Sequence, residues 1–346
     1  MGLNNVLFVL TLEYFDNYLP KMRKSSPRTI TTYRKVMEQF LDYLKEENDV
    51  RLYQVTISMI NRKSVSNYLD YVENERKCSA STRNHRLDCI RSFMKYAATR
   101  NIEAAAMWSE VQMIVHAREN KTPVEYLKVT TVEAIIAQPD ASTRLGLRDK
   151  FLILFLYQTG MRVAELVSVR LCDIQLGTSA VVTVYGKGSK VRKVPIREKM
   201  VEHLKKYLLM FHPNSSMYST EYLFYTIHRN QHTKMTEDNV RRLIQKYGDL
   251  ARTTNLSIPP NVHPHLFRHS IAMHLYQNGV PLTLISQWLG HSRLETTFIY
   301  AYADTEQKRE AIEKAIPEDS TLKEYLNAER YSEDDDELIK RLYGLK

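Results

Sequence analysis

One stretch of the chain, residues 262–302, concentrates side chains that could act on a phosphate. It carries His265 and Arg268 three residues apart, and then His291 and Tyr300. If the first two belong to one helix they share a face, because residues three apart are neighbours on a helix surface. A guanidinium and imidazoles suit a phosphate that develops negative charge, and a tyrosine hydroxyl beside them can act as a nucleophile. The stretch therefore predicts phosphoryl-transfer chemistry.

Turn signals divide this stretch into helices that could bring the four side chains together. The first helix is predicted to end at Asn278-Gly279, and a second apolar helix follows. Gly290 then predicts a tight corner, and Ser292 with Glu295 has the pattern of a capping box that begins a short third helix. Two loop–helix junctions would thus position the two histidines, the arginine and the tyrosine.

A second block upstream adds two cations. The apolar run 151–157 is followed by a glycine that breaks the helix, and Arg162 begins the next helix. Two runs rich in valine, 180–186 and 191–196, predict a β-hairpin with Lys187 at its tip. The block therefore offers an arginine at a helix start and a lysine on a turn.

Four motifs, TGMRVAEL, YGKGSK, HPHLFRH and LGHSRLETTFIY, follow one another over about half of the chain. Together they closely resemble the tyrosine recombinase family, of the phage-integrase and chromosome-resolvase type. The catalytic set of that family is Arg, Lys, His-x-x-Arg, His or Trp, and Tyr. The resemblance implies that the nucleophile is Tyr300, and the full set that it implies is Arg162, Lys187, His265, Arg268, His291 and Tyr300.

Two of these assignments have rivals in the sequence. Lys190 lies on the same hairpin as Lys187 and competes with it for the catalytic role. Tyr302 competes with Tyr300, although a shift of two residues would turn its side chain to another face of the helix. Glu165 is interpreted as a structural partner of the site and not as a catalyst.

Three nearby histidines, His263, His265 and His269, could suggest a metal site, but no cysteine or carboxylate is suitably placed near them. His269 and His274 are instead interpreted as packing residues or as residues that support the site. The resemblance implies chemistry with neither metal nor ATP, since arginines supply the charge and a covalent link keeps the bond energy.

Composition bounds the class of protein. The chain of 346 residues is long enough for two domains, and its net charge of +9 favours a polyanionic partner, here nucleic acid. The resemblance implies that this partner is double-stranded DNA. No apolar run approaches the ~20 residues of a membrane-spanning helix, and no signal-peptide pattern is seen. Three cysteines without metal-type spacing fit a reducing compartment. We therefore expect a cytoplasmic, nucleoid-associated protein without a membrane partner.

The fold class expected is mainly α with a small β-hairpin or sheet. Apolar residues at helical spacing predict several helices in the N-terminal part, the first over residues 7–19 and ended by Pro20. A charged segment with a proline interrupts this pattern and predicts a linker. The boundaries are an all-helical core-binding domain 1–116, a linker 117–127, an α+β catalytic domain 128–316 and a tail 317–346.

The resemblance also implies how the domains would act. The two domains would close on a duplex like a clamp, with DNA contacts expected at Arg28, Thr32, Arg83, Arg86 and Lys190. The tail would either pack on its own domain or dock on a neighbouring protomer. Arg83 and Arg86, taken without the motifs, would be read as a solvated helix face.

The implied function is site-specific DNA recombination through a 3′-phosphotyrosine and a Holliday junction. Four protomers would act on two sites, for integration or excision of a mobile element, with accessory DNA-bending or directionality proteins as further partners. Two alternatives stay open. A type IB topoisomerase shares the chemistry but needs no partner site, and a non-catalytic DNA-binding relative would keep only the fold.

Overall fold

The computed structural model describes residues 5–119, 124–177, 179–186, 190–291 and 293–303, together with Lys340. The chain divides into two compact units, Met1–Lys121 and Thr122–Lys346. The boundary falls inside the segment predicted as a linker. In the described part of the chain, no helix has both the length and the apolar character needed to cross a membrane.

All regular secondary structure in the described residues of the first unit is helical, as expected. Polar N-caps begin its main helices, for example Ser26, whose hydroxyl accepts the N–H of Thr29. The apolar stripes of these helices meet in one core that includes Phe40, Leu69 and Phe93, all fully buried. The helices are α1 (Val6–Glu13), α2 (Pro27–Glu47), α3 (Arg62–Asn74), α4 (Ala80–Ala98) and α5 (Ile102–Val111).

Pro20 does not end the first helix, so that prediction is wrong. After α1 the chain continues as a π-helix, Tyr14–Met22, with Pro20 inside it. The wider π-helical turn, seen in the bond from Arg23 N–H to the Tyr18 carbonyl, relieves the clash that a proline ring makes in an α-helix. The segment is held in place by burial of Leu19 in the core, which local sequence rules do not capture.

In its described residues, the second unit combines helices with two small antiparallel sheets. Its core is centred on one apolar helix, in which Leu152, Phe155 and Leu156 are fully buried. The helices are α6 (Val129–Ala137), α7 (Arg144–Thr159), α8 (Val163–Leu166), α9 (Glu198–Phe211), α10 (Glu237–Arg252), α11 (Pro264–Gln277), α12 (Leu282–Leu289) and α13 (Glu295–Ala303). The strands are β1 (Ile174–Gln175), β2 (Val181–Tyr185), β3 (Val191–Pro195), β4 (Tyr225–His228) and β5 (Gln231–Lys234).

The predicted hairpin is confirmed as β2 and β3, joined with β1 in the order β1-β2-β3. Val182 pairs with Val194 and Val184 with Arg192. Directly paired residues point to the same face of a sheet, so Arg192 shares the inner face with the buried valines. The sheet therefore directs the Arg192 side chain toward the interior of the second unit.

The second hairpin, β4 and β5, is absent from the sequence predictions. Its turn is formed by Arg229 and Asn230, both with positive φ (49° and 60°). Two-residue hairpin turns of this kind usually contain glycine, and the lack of one here removed the strongest local signal. This hairpin makes the unit richer in strand than expected.

Candidate active site

Helix α11 carries two of the six predicted catalytic residues, His265 and Arg268. His263 caps it by accepting the Leu266 N–H, and Pro264 occupies the first turn, where its missing N–H costs nothing. This start fixes the helical phase so that His265 reaches the surface while Arg268 points into the protein. His265 is therefore exposed at the surface of the site, whereas Arg268 is buried beneath it.

Arg268 joins three helices at the centre of the site. Its side chain is 1% exposed, and its guanidinium donates to the Gly160 carbonyl (2.5 Å) and to the Leu289 carbonyl (2.7 Å). These carbonyls lie at the C-terminal ends of α7 and α12, where helices leave acceptors without partners and favour a positive charge. Burial and the charge of Arg162 lower the Arg268 pKa to about 9, so the group remains a cation at neutral pH.

Arg162 lies at the N-cap of α8 and is the more accessible of the two arginines. Its side chain is 41% exposed. Glu165 accepts the Arg162 backbone N–H at Oε2 and the Arg162 Nη1 at Oε1, both at 3.0 Å. Glu165 thus holds the arginine in place and leaves one side of the guanidinium open to a ligand, which agrees with its interpretation as a structural partner.

Arg192 belongs to the site but is absent from the predicted set of residues. It forms a bidentate pair with Glu165, with distances of 3.1 and 2.7 Å, and its Nε donates to the Trp288 carbonyl at 2.9 Å. Burial alone would raise the pKa of Glu165, but the hydrogen bonds from Arg192 and Arg162 outweigh burial and lower it. The sequence did contain one indication of this role. Side chains alternate between the two faces of a strand, which places Arg192 on the inner face of β3, where a buried cation requires a partner.

Replacing Arg192 should destabilise the second unit. Arg192→Ala leaves Glu165 buried with one fewer cation, and breaking a buried ion pair costs about 3–5 kcal/mol. The free energy of unfolding in urea measures this loss. Lys193→Ala is the matched control, because Lys193 is adjacent on the same strand but exposed, and its change should stay within about 0.5 kcal/mol. Equal effects of the two changes would contradict a structural role of the Arg192 pair.

Two glycines allow the close approaches that assemble the site. Gly160 and Gly290 end α7 and α12 with positive φ values of 60° and 65°. A Cβ on Gly160 would lie 2.9 Å from Leu289 Cδ2, and one on Gly290 would lie 3.0 Å from Arg192 Cδ. Only glycine therefore fits both the backbone angle and the available space at these corners.

His291 follows the second of these corners and is half-buried. Its Nδ1 lies 2.9 Å from the Thr297 hydroxyl of α13, which orients the imidazole. Burial, Arg268 and Arg162 lower the His291 pKa to about 4, so the ring is neutral at physiological pH. The residue borders a cleft of about 500 Å³, lined by Arg162, Gly186, Lys190, Val191, Arg192, Gln287, Gly290 and His291.

Tyr300 is fully buried on α13. Its ring packs in a small apolar cluster with Met273, Ile285 and Leu289. Its hydroxyl lies 3.0 Å from Nδ1 of His269. Burial raises the Tyr300 pKa to about 12, although the charges of Arg268 and Arg162 act in the opposite direction. His269, interpreted from sequence as a packing or supporting residue, is therefore in direct contact with the predicted nucleophile.

The structure brings together five of the six predicted catalytic residues. The charges of Arg162 and Arg268 affect the pKa values of His265, His291 and Tyr300, which shows that all five share one electrostatic environment. Lys187 lies outside the described residues. Its rival Lys190 is described and lines the cleft. The roles of these residues stay predictions.

The residues of the first unit that are predicted to contact DNA differ in their exposure and in their partners within the protein. Arg28 and Thr32 are exposed in the first turns of α2. On α4, Arg83 forms an ion pair with Glu73 at 3.1 Å. Arg86 donates to the Tyr68 hydroxyl at 2.6 Å and lies over its ring. Contact of Arg83 or Arg86 with a phosphate would compete with these partners, and all four assignments stay predictions.

Comparison with known families covers both units. Residues 125–307 match the phage integrase family, and residues 12–101 match the N-terminal SAM-like domain of phage integrases. The first match spans more than half of the chain, and the second corresponds to the helical unit.

Individual relatives agree with these matches. The tyrosine recombinase XerA of Pyrococcus horikoshii is 31% identical over 290 residues, which covers 81% of this chain and 93% of XerA. The crystal structure of XerH bound to its palindromic difH substrate has a TM-score of 0.68 at 21% identity, covering 89% of this chain and 88% of XerH. A lambda integrase tetramer bound to a Holliday junction has a TM-score of 0.57 at 18% identity, covering 86% and 78%. The two structures share the fold with this chain.

Proposed function

The chain belongs to the phage integrase family and is a tyrosine recombinase, and on this premise we propose that it exchanges DNA strands at specific sites through a 3′-phosphotyrosine and a Holliday junction. The observation that carries this proposal is the shared site of Arg162, Arg268, His291 and Tyr300 beside an open cleft. Integration or excision of a mobile element is the role that we propose for the exchange.

The arginines supply what phosphodiester cleavage most needs. A DNA phosphate repels nucleophiles, so the site must neutralise the negative charge that grows in the transition state. Arg162 offers an accessible guanidinium, and Arg268 adds a cation fixed between two helix ends. His265 and His291 are neutral and can donate hydrogen bonds to the same phosphate. Charge neutralisation by arginine makes a metal ion unnecessary in this proposal.

The covalent step exchanges one phosphoester for another. Tyr300 Oη attacks the phosphorus, the bond to the 5′ oxygen breaks, and a 3′-phosphotyrosine and a free 5′ hydroxyl result. Lys187 is the proposed acid that protonates the leaving oxygen. Because the new ester keeps the bond energy, a 5′ hydroxyl of the partner duplex can attack it and rejoin the strands without ATP.

Strand exchange between two sites requires more than one protomer. We propose four protomers on two duplexes, as in the lambda integrase tetramer on a Holliday junction. The net charge of +9 supports binding to DNA, with accessory DNA-bending or directionality proteins as further partners and the nucleoid as the place of action.

A two-plasmid assay tests this function. Each plasmid carries DNA from one end of the locus that encodes the chain, and the full chain is added without metal or ATP. Recombinant products with exchanged flanks, and junction intermediates on a two-dimensional gel, are the expected result. Relaxation of one supercoiled plasmid without exchange would indicate a topoisomerase, and binding without any cleavage would indicate a non-catalytic relative.

The acid role of Lys187 predicts a selective rescue. Lys187→Ala should slow cleavage of ordinary DNA about 10²- to 10⁴-fold, the usual contribution of a general acid. On DNA with a 5′-thiol leaving group, which needs no protonation, the variant should approach the wild-type rate. Lys190→Ala is the matched control and should show no thiol-specific rescue. Rescue of Lys190→Ala instead of Lys187→Ala would transfer the role to Lys190.

A further inference from the structure

The predicted nucleophile has one described hydrogen-bond partner, and that partner is not among the six residues of the catalytic set. The Oη of Tyr300 lies 3.0 Å from Nδ1 of His269, and the two rings meet edge-to-face with centroids 5.8 Å apart. His269 lies on α11, one residue after Arg268, and the rigid helix fixes its position relative to the phosphate-binding residues. The contact therefore joins the attacking oxygen directly to an imidazole.

His265 and His269 occupy successive turns of the same helix and face different groups. Their rings meet edge-to-face, with centroids 4.4 Å apart. His265 reaches the surface and interacts electrostatically with Arg268 and Arg162, whereas His269 reaches the buried tyrosine. This geometry separates two tasks, a hydrogen bond to the phosphate from His265 and a contact to the nucleophile from His269.

We propose that His269 is a further catalytic residue, the base that accepts the proton of Tyr300 at Nδ1 as the oxygen attacks the phosphate. The proposal rests on the function proposed above. The Oη–H proton passes to Nδ1 of the neutral ring, the new bond forms between Oη and phosphorus, and the bond from phosphorus to the 5′ oxygen breaks. The 5′ oxygen takes its proton from Lys187. In the rejoining step the proton on His269 returns to Tyr300 as the phosphotyrosine bond breaks.

The electrostatics of the site are consistent with this transfer. Burial raises the pKa of Tyr300 to about 12, so the phenol does not ionise unaided at neutral pH. Burial and the nearby His265, Arg268 and His263 lower the pKa of His269 to about 4, so its ring is neutral and able to accept. A bound phosphate places negative charge beside Arg268 and His269, and this charge raises the pKa of His269 when the proton must move.

A purely positioning role makes a different prediction. If His269 only orients the phenol, then any side chain that accepts the same hydrogen bond should suffice. Asparagine places its Oδ1 close to the position of Nδ1 but is not a base. His269→Asn therefore retains the hydrogen bond and removes the proton acceptor, whereas His269→Ala removes both.

The test is single-turnover cleavage by the full chain on a nicked duplex that carries the cleavage site. Both His269→Asn and His269→Ala should cleave about 10²- to 10⁴-fold more slowly than wild type, with unchanged DNA affinity. Since solvent must then remove the proton, their rates should rise about tenfold per pH unit between pH 7 and 9, a slope that wild type lacks. The groups that face His269 are His263, His265, Arg268 and Tyr300, and all are the same in each protein.

A matched control lies on the same helix. His274 Nδ1 is 2.8 Å from the hydroxyl of Tyr157, so His274→Asn makes the same substitution in a similar His–Tyr pair away from the site. This variant should cleave at the wild-type rate without the pH slope. Thermal unfolding of all three variants identifies any loss that comes from misfolding, and imidazole added to His269→Ala should restore part of its rate.

The outcomes separate this inference from the function on which it rests. Wild-type cleavage combined with near wild-type cleavage by His269→Asn would overturn the base role and leave a positioning role. Slow variants without the pH slope or imidazole rescue would overturn it too. Absence of wild-type cleavage on DNA that the chain binds would overturn the proposed function, and with it the inference.

Discussion

Tyr300→Phe is expected to abolish the covalent protein–DNA adduct and to leave DNA affinity unchanged. The substitution removes only a hydroxyl whose described partner is His269, and the ring keeps its packing against Met273 and Leu289. Loss of one hydrogen bond costs about 1 kcal/mol, so the protein should stay folded. Without the attacking oxygen no phosphotyrosine can form. Adduct formation on a nicked duplex, followed in denaturing detergent gels, measures the effect.

Tyr302→Phe is the control for this prediction. Tyr302 lies two residues further along α13, and the sequence left it as the rival nucleophile. The variant should form the adduct at the wild-type rate. An adduct that survives in Tyr300→Phe but disappears in Tyr302→Phe would reverse the assignment.

The second large effect is expected from replacing Arg162 or Arg268. The first replacement should affect mainly cleavage, and the second should affect both cleavage and stability. Arg162→Ala should reduce cleavage about 10²- to 10³-fold, the range for loss of one charge-stabilising group. Its effect on stability should be within about 1 kcal/mol, because the side chain is 41% exposed and Glu165 keeps its pair with Arg192. Cleavage rate, DNA affinity and urea unfolding measured on one preparation give all three quantities.

Arg268→Ala should lose both cleavage and stability. The change leaves the carbonyls of Gly160 and Leu289 without their buried donor, and each unsatisfied group costs about 1–3 kcal/mol. The Arg268→Lys variant keeps the charge but cannot donate to both carbonyls in the same geometry, so it should be destabilised as well. If Arg268→Ala were as stable as Arg162→Ala, the structural role of Arg268 would be contradicted.

Local rules predicted much of this fold. Helical periodicity predicted the helices of the N-terminal part, and Ser26 and Ser79 begin two of them by accepting N–H groups. Valine alternation identified the hairpin of β2 and β3. These features depend on residues that are close in sequence, and so the sequence alone carries the information.

The sequence motifs predicted which residues belong to the candidate site. They did not predict which of these residues contact one another. Arg192 contacts Glu165 and Trp288, 27 and 96 residues away, and His269 contacts Tyr300, 31 residues away. Such pairs depend on how helices pack, which no short pattern encodes. The same holds for Arg268, which a motif assigns to the phosphate but which packing also uses to join α7 and α12.

We expect Tyr300 to form a bond to the 3′ phosphate of DNA without help from metal or nucleotide cofactors. Mass spectrometry of the wild-type adduct on a nicked duplex, formed in the presence of a metal chelator and without ATP, tests it most directly. A peptide with a 3′-linked nucleotide on Tyr300 and a free 5′ hydroxyl on the departing strand is the expected result. An adduct on another residue, a 5′-linked nucleotide, or an adduct that forms only after a divalent metal is added would contradict it.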